Sequence, residues 1–263
     1  MKTISIITVV RNGAETIRDC IESVRLQHHP AEHIVIDGCS TDGTLEILES
    51  CRQYLARIVS EPDRGIYDAM NKGIALVTGD VIGILNADDH FAGPEVLSRV
   101  AGIFADETVE SCYGDLVYVK DAGAGATAHG ITPFALPFRV VRYWRSGSYD
   151  PQRFYRGWMP PHPTFFVRKR AYDAYGLFNP ALGSAADYEL MLRFLVKHGI
   201  TSVHIPEVLV RMRSGGMSNA SLGNRLRAHR MDRMAWQVNG LKPFPWTLAL
   251  KPLSKLIQYV RTP

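Results

Sequence analysis

The sequence has few cysteines and no long hydrophobic run. None of its four cysteines forms a Cys-x-x-Cys pair or a spacing typical of a disulfide framework. No stretch approaches the roughly 18 consecutive apolar residues of a membrane-spanning helix. Residues 1–4 lack the basic region and cleavage site of a signal peptide. These absences predict a cytoplasmic protein with reduced thiols, namely Cys20, Cys39, Cys51 and Cys112.

Charge is divided unevenly along the chain. Residues 1–115 hold 9 Lys and Arg against 19 Asp and Glu, whereas residues 116–263 hold 21 against 7, although the whole chain has a formal net charge of only +4. Two halves of opposite charge indicate different partners. A basic surface suits phosphate groups, an anionic membrane surface or nucleic acid, and a solvated surface without a partner is the alternative.

Short apolar segments alternate with helical patterns in the first 119 residues. Residues 3–10 are rich in β-branched side chains and predict a strand buried on both faces, as in a parallel sheet. This alternation predicts an α/β fold with a mostly parallel central sheet flanked by helices, and a ligand site outside the carboxyl ends of its strands. Further strands are predicted at 34–36, 57–60, 81–85 and 111–119, and helices at 14–26, 40–54 (capped by Ser40 or Thr41), 66–77 and 94–104.

The pattern changes after residue 119. Residues 122–128 are small and glycine-rich, which predicts a loop, and residues 133–161 combine aromatics, arginine and proline with weak periodicity. A helix is predicted at 185–196, and the chain from residue 219 onwards is basic and helical. We therefore divide the chain into residues 1–119, residues 120–218 and a basic, amphipathic helical tail at residues 219–263.

The strongest local signal follows the predicted strand at 81–85. Residues 85–89, Leu-Asn-Ala-Asp-Asp, place Asp88 and Asp89 next to each other at the carboxyl edge of the sheet. Adjacent carboxylates repel each other unless they are compensated, and a divalent cation shared with a substrate diphosphate compensates them. The alternative is a strand-end turn whose acids cap the following helix. We favour the metal-binding interpretation because acids also follow the neighbouring predicted strands.

Two further polar segments follow predicted strands. At the end of the second strand, Asp37 is placed to accept a hydrogen bond from a base or a ribose, and a tight Asx turn is the alternative. In residues 61–73, Arg64 is placed to pair with a phosphate or with Asp63. Asp68 and Lys72 are four residues apart on the predicted helix and are expected to form a salt bridge.

Together these segments resemble the family 2 glycosyltransferases of the GT-A fold, a Rossmann-like nucleotide-binding fold, and in particular bacterial enzymes that assemble exopolysaccharide or O-antigen repeat units. The resemblance covers residues 3–119 and returns at 157–218. It implies a nucleotide-sugar-binding half at 1–119 and an acceptor-binding half of the same domain at 120–218. The matching segments are residues 4–12, 35–44, 61–73, 85–89, 162–170 and 185–193.

The resemblance implies a donor site at the strand ends. The family's Asp-x-Asp element binds the ribose and the diphosphate-bound metal, and here it reads Asn86-Ala87-Asp88, so its first position carries no charge. Asp88 is then the implied ligand of Mg²⁺ or Mn²⁺, and Asp89 supports it. The implied donor-binding residues are Thr8, Arg11, Asp37, Asp63, Arg64, Asn86 and Asp88.

The resemblance also implies a general base. In the family this base is an acid at the start of a later helix, often written Glu-Asp. Here Ala186 replaces the first acid, which leaves Asp187 as the base. Ser184 and Asp187 also have the spacing of a capping box, a role compatible with catalysis.

Three more residues are implied to contact the acceptor or the diphosphate. His162 matches a family segment that precedes an acceptor-facing strand, and a structural histidine is the alternative. Arg211 and Arg213, with residues 215–218, match a mobile loop that closes over the diphosphate.

The implied reaction is the inverting transfer of a sugar from a UDP- or GDP-type nucleoside-diphosphate sugar to a saccharide or polyprenyl-diphosphate-linked acceptor. Residues 242–261 mix aromatic and leucine side chains with Lys and Arg, which suits peripheral contact with the inner face of the plasma membrane. The alternatives for this tail are packing on the protein's own core or on a second subunit in a homodimer.

Other functions are weighed against this interpretation. A sugar nucleotidyltransferase usually needs a glycine-rich phosphate loop directly after the first strand, and residues 11–14 make a poor one. A non-catalytic nucleotide-sugar-binding protein is the other alternative. No nucleic-acid partner is expected, because the basic half carries no recognisable nucleic-acid-binding motif.

Overall fold

The structure, a computed structural model, describes residues 2–121, 132–214 and 222–251. Within these ranges nine strands form one sheet, and helices cover both of its faces. The strands are β1 (Ile4–Val10), β2 (Ala31–Asp37), β3 (Arg57–Ser60), β4 (Val81–Ile84), β5 (Asp89–Phe91), β6 (Ser111–Asp121), β7 (Phe138–Trp144), β8 (Phe166–Arg168) and β9 (Ser202–Arg213). The helices are α1 (Ile17–Arg25), α2 (Thr44–Ser50), α3 (Ile66–Leu76), α4 (Val96–Ile103), α5 (Lys169–Tyr175), α6 (Ala186–Met191) and α7 (Leu222–Val238).

The sheet is mostly parallel, as predicted. Its strand order is β3-β2-β1-β4-β8-β6-β9-β5, and β7 also pairs with β6. The first four strands in this order are parallel to one another. β8 is antiparallel to both β4 and β6, and β6 is parallel to β9, so β6 and β9 run in the same direction as β4. The carboxyl ends of six strands therefore lie along one edge of the sheet.

β1 lies in the middle of the parallel part, and its side chains alternate between two hydrophobic layers. Ile7 and Val9 pack in the layer that holds α3, while Ile6 packs in the layer beneath α1 and α4. All seven residues of β1 are buried, which explains why its sequence is a continuous apolar run. α3 approaches closely because Gly73 has no side chain: a Cβ at this position would come within 2.4 Å of Ile7 Cγ2.

The predicted capping of the second helix is wrong. α2 begins at Thr44, after Gly43 in a left-handed conformation with φ of 95°, and ends at Ser50 before a short 3₁₀ turn at Arg52–Tyr54. Ser40 does not cap it, because its hydroxyl donates to Asp37. The polar residues of this loop hold the neighbouring strand ends together instead of starting a helix.

The second half contains structure that the sequence pattern did not indicate. β7 lies in the segment of weak periodicity at 133–161, β9 was not predicted, and β8 was implied only as the strand that follows His162. In the first half, β5 was not predicted either. The helix predicted at 185–196 is α-helical only in α6 and continues as a π-helix at Leu192–Lys197. The capping box predicted for Ser184 and Asp187 is absent, since α6 has no side-chain cap.

The described part of the tail packs on the protein's own core. Trp236, near the end of α7, is fully buried, and its indole Nε1 donates to the Tyr188 hydroxyl at 3.0 Å. Leu248 is also buried, while the Thr247 hydroxyl donates to the Tyr155 carbonyl at 2.6 Å. Residues 252–263 of the predicted tail lie outside the described residues, as do the loop predicted at 122–128 and residues 215–218. Among the described helices, none has the length and apolar character needed to cross a membrane.

Candidate active site

The Asp88 motif forms a tight turn between β4 and β5. The Asp89 amide donates to the Asn86 carbonyl at 3.0 Å, and Asn86 Nδ2 donates to Asp89 Oδ2 at 3.1 Å. Asp89 is fully buried, whereas Asp88 is half-buried and remains accessible to solvent. Burial raises the pKa of Asp88, and burial together with the charge of Asp88 raises the pKa of Asp89 well above its usual value. A cation at this turn would offset the cost of holding both carboxylates ionised.

Arg213 links this turn to helix α1. Its Nη2 atom lies 2.7 Å from Asp19 Oδ2 in α1, and its Nη1 donates to the Asp88 carbonyl at 3.3 Å. Both members of the Arg213–Asp19 pair are almost fully buried. The expectation that Arg211 and Arg213 belong to a loop is wrong, because both lie in β9. Arg211 donates to the Phe134 carbonyl at 2.9 Å and lies over the ring of Phe138.

The donor set at this turn fits Mg²⁺ or Mn²⁺. The Oδ1 atoms of Asn86 and Asp89 are buried without a hydrogen-bond partner, and Asp88 presents a carboxylate to solvent beside them. No group of three His, Cys, Asp or Glu side chains within the described ranges encloses a metal. Mg²⁺ is usually held by one or two carboxylates together with substrate phosphates, and one accessible carboxylate is consistent with that arrangement.

The loops after β1 and β2 are locked together. The Asn12 amide donates to the Ser40 hydroxyl at 2.7 Å, and the Thr41 amide donates to Asn12 Oδ1 at 2.9 Å. Asn12 and Cys39 both have positive φ values, of 53° and 57°, which non-glycine residues adopt at an energetic cost. These reciprocal hydrogen bonds stabilise both strained residues and give the two strand ends one defined shape.

Asp37 and Thr8 lie below the surface of this edge. The Asp37 carboxylate is fully buried and accepts hydrogen bonds from the Ser40 amide at 3.1 Å and the Ser60 hydroxyl at 2.6 Å. The Thr8 hydroxyl is 2.9 Å from His33 Nε2 and is also fully buried. In this structure both residues support the strand ends from within. Asp37 does so through the amide three residues further on, that of Ser40, and not in the Asx turn that was the alternative interpretation.

Arg11, Asp63 and Arg64 are the more accessible members of the predicted donor site. Arg11 is exposed after β1, and the Asp63 carboxylate lies directly over Gly38, where a Cβ would be 2.3 Å from Asp63 Oδ2 and 3.5 Å from Arg11 Cβ. The structure thus brings the ends of β1, β2 and β3 together around Gly38. Arg64 is 89% exposed and pairs with Asp68 at 3.1 Å, not with Asp63.

Asp187 lies beside two ring systems that come from distant parts of the chain. It is half-buried in the first turn of α6, and its Oδ1 accepts a hydrogen bond from the Tyr188 amide at 2.7 Å. Burial and the nearby Asp187 carboxylate raise the pKa of Tyr67. Burial lowers the pKa of His162, and the charge of Asp187 opposes that shift. The rings of Tyr67 and His162 both pack against Phe178, with centroid distances of 5.4 and 5.5 Å.

Sequence reasoning missed three residues at this site. Tyr67 lies in the segment at 61–73 that was singled out, but nothing in that segment indicates that it faces Asp187. Phe178 and Asp19 gave no signal, since a buried aromatic ring and a helical acid are common. Their roles depend on which distant residues they contact.

Solved structures define the class of this fold. The chain is similar to residues 1–349 of Staphylococcus aureus TarS, crystallised with UDP-GlcNAc, with a TM-score of 0.69 at 17% identity over 96% of this chain and 72% of that fragment. It is also similar to the mannosyltransferase PcManGT from Pyrobaculum calidifontis, crystallised with GDP-Man and Mn²⁺, with a TM-score of 0.61 at 17% identity over 100% of this chain and 76% of PcManGT. The fold is that of the GT-A glycosyltransferases.

Sequence comparison then identifies the family. Residues 5–176 match the family described as "Glycosyl transferase family 2". An uncharacterised glycosyltransferase of Mycobacterium tuberculosis is 33% identical over 195 residues, which are 73% of this chain and 68% of the relative. A PGL/p-HBAD biosynthesis glycosyltransferase of Mycobacterium bovis is 27% identical over 82% of this chain and 78% of its own length. The chain belongs to glycosyl transferase family 2 and is a glycosyltransferase.

Proposed function

We propose that this enzyme transfers a sugar, with inversion, from a UDP- or GDP-sugar to a saccharide or polyprenyl-diphosphate-linked acceptor in cell-surface polysaccharide or glycolipid synthesis. The main observation behind this proposal is the turn that holds Asp88, at the carboxyl edge of the sheet. Its Asp88 carboxylate is accessible, and the Oδ1 atoms of Asn86 and Asp89 are buried without a hydrogen-bond partner. The nucleotide sugars bound by TarS and PcManGT support the donor class. The name of the M. bovis relative supports a glycolipid product.

The strand ends bind the donor. Arg11 and Asp63 flank Gly38 and offer opposite charges to the nucleotide, while the buried carboxylate of Asp37 and hydroxyl of Thr8 maintain the shape of that edge. Asn86 keeps Asp89 in place through its amide. Asp88 would hold Mg²⁺ or Mn²⁺, which would supply positive charge to the departing diphosphate. Arg213 fixes the turn that carries Asp88.

Asp187 acts as the general base for the acceptor. The acceptor hydroxyl gives its proton to the Asp187 carboxylate while its oxygen bonds to the anomeric carbon, and the bond from that carbon to the diphosphate oxygen breaks. The electron pair of the broken bond leaves with the nucleoside diphosphate. The half-buried carboxylate lies next to Tyr67 and His162, and its partial exposure leaves it available to the hydroxyl of a bound acceptor. His162 is proposed to contact the acceptor.

The first experiment tests the donor site directly. The purified enzyme is incubated with UDP- and GDP-sugars and Mn²⁺, and slow release of the free nucleoside diphosphate is measured. We expect Asp88→Asn to reduce this metal-dependent hydrolysis by on the order of 10²-fold, because it removes the accessible charge that holds the cation. Asp106→Asn, at an exposed turn that accepts hydrogen bonds from Thr108, is the matched control and should keep full activity. Equal hydrolysis by both variants would refute the proposal.

A further inference from the structure

A basic aromatic surface lies next to the candidate base helix. It is formed by the exposed face of α7 and by the segment that follows it. Its aliphatic and aromatic members are among the most exposed large hydrophobic side chains in the described structure: Val238 is 52% exposed, Phe244 47% and Trp246 54%. Its residues are Arg230, Arg233, Val238, Lys242, Phe244 and Trp246.

The aromatic pair in this surface has a fixed geometry. The rings of Phe244 and Trp246 stack at a centroid distance of 5.2 Å with 21° between their planes. The sequence Pro243-Phe244-Pro245-Trp246 restricts the backbone, because each proline fixes its own φ. The Phe244 ring also rests on Tyr155 at 5.3 Å. Two large apolar rings are therefore held partly in solvent by a rigid segment.

The chain on either side of the pair is firmly attached to the protein. Before it, Trp236 is buried against Tyr155 at 4.8 Å. After it, Thr247 and Leu248 are buried, and Lys251 Nζ lies 2.7 Å from Asp232 Oδ1. Because both flanks are anchored, the exposure of Phe244 and Trp246 is a property of the folded protein and not of a frayed end.

The segment that carries these rings is strongly positive. Residues 222–251 contain six Lys and Arg but a single acid, Asp232, and that acid is paired with Lys251. Arg230, Arg233 and Lys242 are exposed. Aromatic rings with surrounding basic residues suit the boundary between lipid head groups and acyl chains, and each Lys or Arg near an anionic membrane surface adds to the attraction.

We propose that the basic aromatic surface binds an anionic phospholipid membrane, with Phe244 and Trp246 inserted at the level of the head groups. A second copy of the chain fits less well, because a two-fold interface at this surface places the same arginines of both subunits near each other. The surface is rigidly connected to the candidate base, since Trp236 of α7 donates to Tyr188, the neighbour of Asp187. Membrane binding would bring the enzyme to a lipid-linked acceptor. That biological role rests on the proposed function, whereas the binding itself does not.

Vesicle flotation of the full-length protein tests this inference. Vesicles of phosphatidylcholine with phosphatidylglycerol are compared with vesicles of phosphatidylcholine alone, and Trp fluorescence is recorded in parallel. We expect flotation only on the anionic vesicles. The Phe244→Ser/Trp246→Ser variant should bind about tenfold more weakly or worse, and Arg230→Gln/Arg233→Gln about 30-fold more weakly.

A matched control comes from the edge strand β3 and the turn before it. Tyr54 is 43% exposed and Arg57 is an exposed residue of β3, so Tyr54→Ser/Arg57→Gln removes a comparable ring and charge and should float like the unchanged protein. Equal flotation of all variants, or no flotation of the unchanged protein, would overturn the inference. So would a dimer that Phe244→Ser/Trp246→Ser converts to a monomer in size-exclusion chromatography, or binding of an RNA oligonucleotide in place of vesicles.

Donor hydrolysis, measured on the same preparations, separates this inference from the proposed function. The surface variants should retain hydrolysis of the nucleotide sugar in the absence of vesicles, because none of the changed side chains belongs to the donor site. Loss of flotation with intact hydrolysis supports the membrane surface. If the unchanged protein hydrolyses the nucleotide sugar but does not float on the anionic vesicles, the membrane inference is refuted and the proposed transferase function is not affected.

Discussion

The proposed donor edge, at the carboxyl ends of β1 to β4, and the proposed acceptor side, around Asp187, are built in different ways. At the donor edge, loops that follow neighbouring parallel strands hydrogen-bond to one another, as Asn12 does with Ser40 and Thr41. On the acceptor side, Asp187 meets Tyr67 and His162, which come from α3 and from a 3₁₀ turn at His162–Thr164. The first site follows from strand order alone, whereas the second requires several distant segments to pack correctly.

This difference indicates which substitutions should reduce stability and which should reduce catalysis. Damage to the donor edge should be buffered by many local hydrogen bonds, with the exception of the single buried ion pair beneath the Asp88 turn. Damage to the acceptor side should appear in catalysis before it appears in stability, since its groups pack against a separately formed core. The following predictions test that contrast, from the largest expected effect to the smallest.

The largest effect is expected at the candidate base. Asp187→Ala should lower the rate of sugar transfer by about 10²–10⁴-fold, because a positioned base contributes about that much. Binding of the nucleoside diphosphate, measured by calorimetry with Mn²⁺, should survive. Asp173→Ala changes an exposed acid of α5 that pairs with Lys169 and serves as the control. Unchanged turnover in Asp187→Ala would show that the base lies elsewhere.

The buried ion pair is the expected weak point of the donor edge. Arg213→Met removes the cation that lies 2.7 Å from the buried Asp19 carboxylate, and it should lower the free energy of unfolding by about 3–5 kcal/mol in urea titrations. Asp19→Leu combined with Arg213→Met should recover part of that loss. Arg211→Met, on the same strand, removes a bond to a carbonyl instead of a buried carboxylate and should cost less. Equal losses for Arg211 and Arg213 would contradict the anchoring role.

Lowering the pH is expected to have a smaller effect on the free energy of unfolding, through His33. Burial lowers the pKa of His33 to about 3, whereas an unfolded histidine titrates near 6.5. In the unfolded chain His33 binds a proton below pH ~6.5, whereas in the folded chain it binds one only below pH ~3. The free energy of unfolding should therefore fall as the pH drops from ~6.5 to ~3. His33→Gln should flatten part of that slope in denaturant titrations. A slope insensitive to His33→Gln would assign the acid sensitivity to other groups.

The smallest stability effect is expected at Arg64. Its exposed pair with Asp68 should contribute little, so Arg64→Ala should leave the urea midpoint unchanged. If the guanidinium also contacts a donor phosphate, as the sequence suggested, the KM for the donor should rise on the order of tenfold. Arg52→Ala removes a similar exposed pair, with Glu49 at the end of α2, and should change neither quantity. Identical KM values for both variants would show that Arg64 forms only its salt bridge with Asp68 and does not contact the donor.

Much of the first half could be predicted from the sequence. β3 has the predicted bounds, and β1, β4 and α3 differ from them by a residue at one end. Their apolar runs are long enough, and their boundaries marked clearly enough, for local physics to decide. The expected salt bridge between Asp68 and Lys72 is present at 3.8 Å, although Lys72 lies closer to Glu61, at 2.8 Å.

The second half resisted prediction for physical reasons. β8 has three residues, too few to show an alternating pattern, and it forms only because β4 and β6 provide partners. The same holds for the three-residue β5 of the first half, which pairs with β9. The apolar residues of the tail were expected to share one face. Instead Leu248 is buried and Phe244 and Trp246 are exposed, because the prolines and the anchor at Thr247 determine their directions.

By itself, the amino-acid order determined the parallel β-sheet, the family and the position of the Asp88 motif at a strand end, because these depend on runs of neighbouring residues. Only the tertiary structure decided that Arg213 supports that motif from beneath, that Asp37 is buried while Asp88 is accessible, and that Tyr67 and His162 lie beside Asp187. Accessibility and partner choice depend on contacts between residues that are far apart in the chain, which local patterns do not encode.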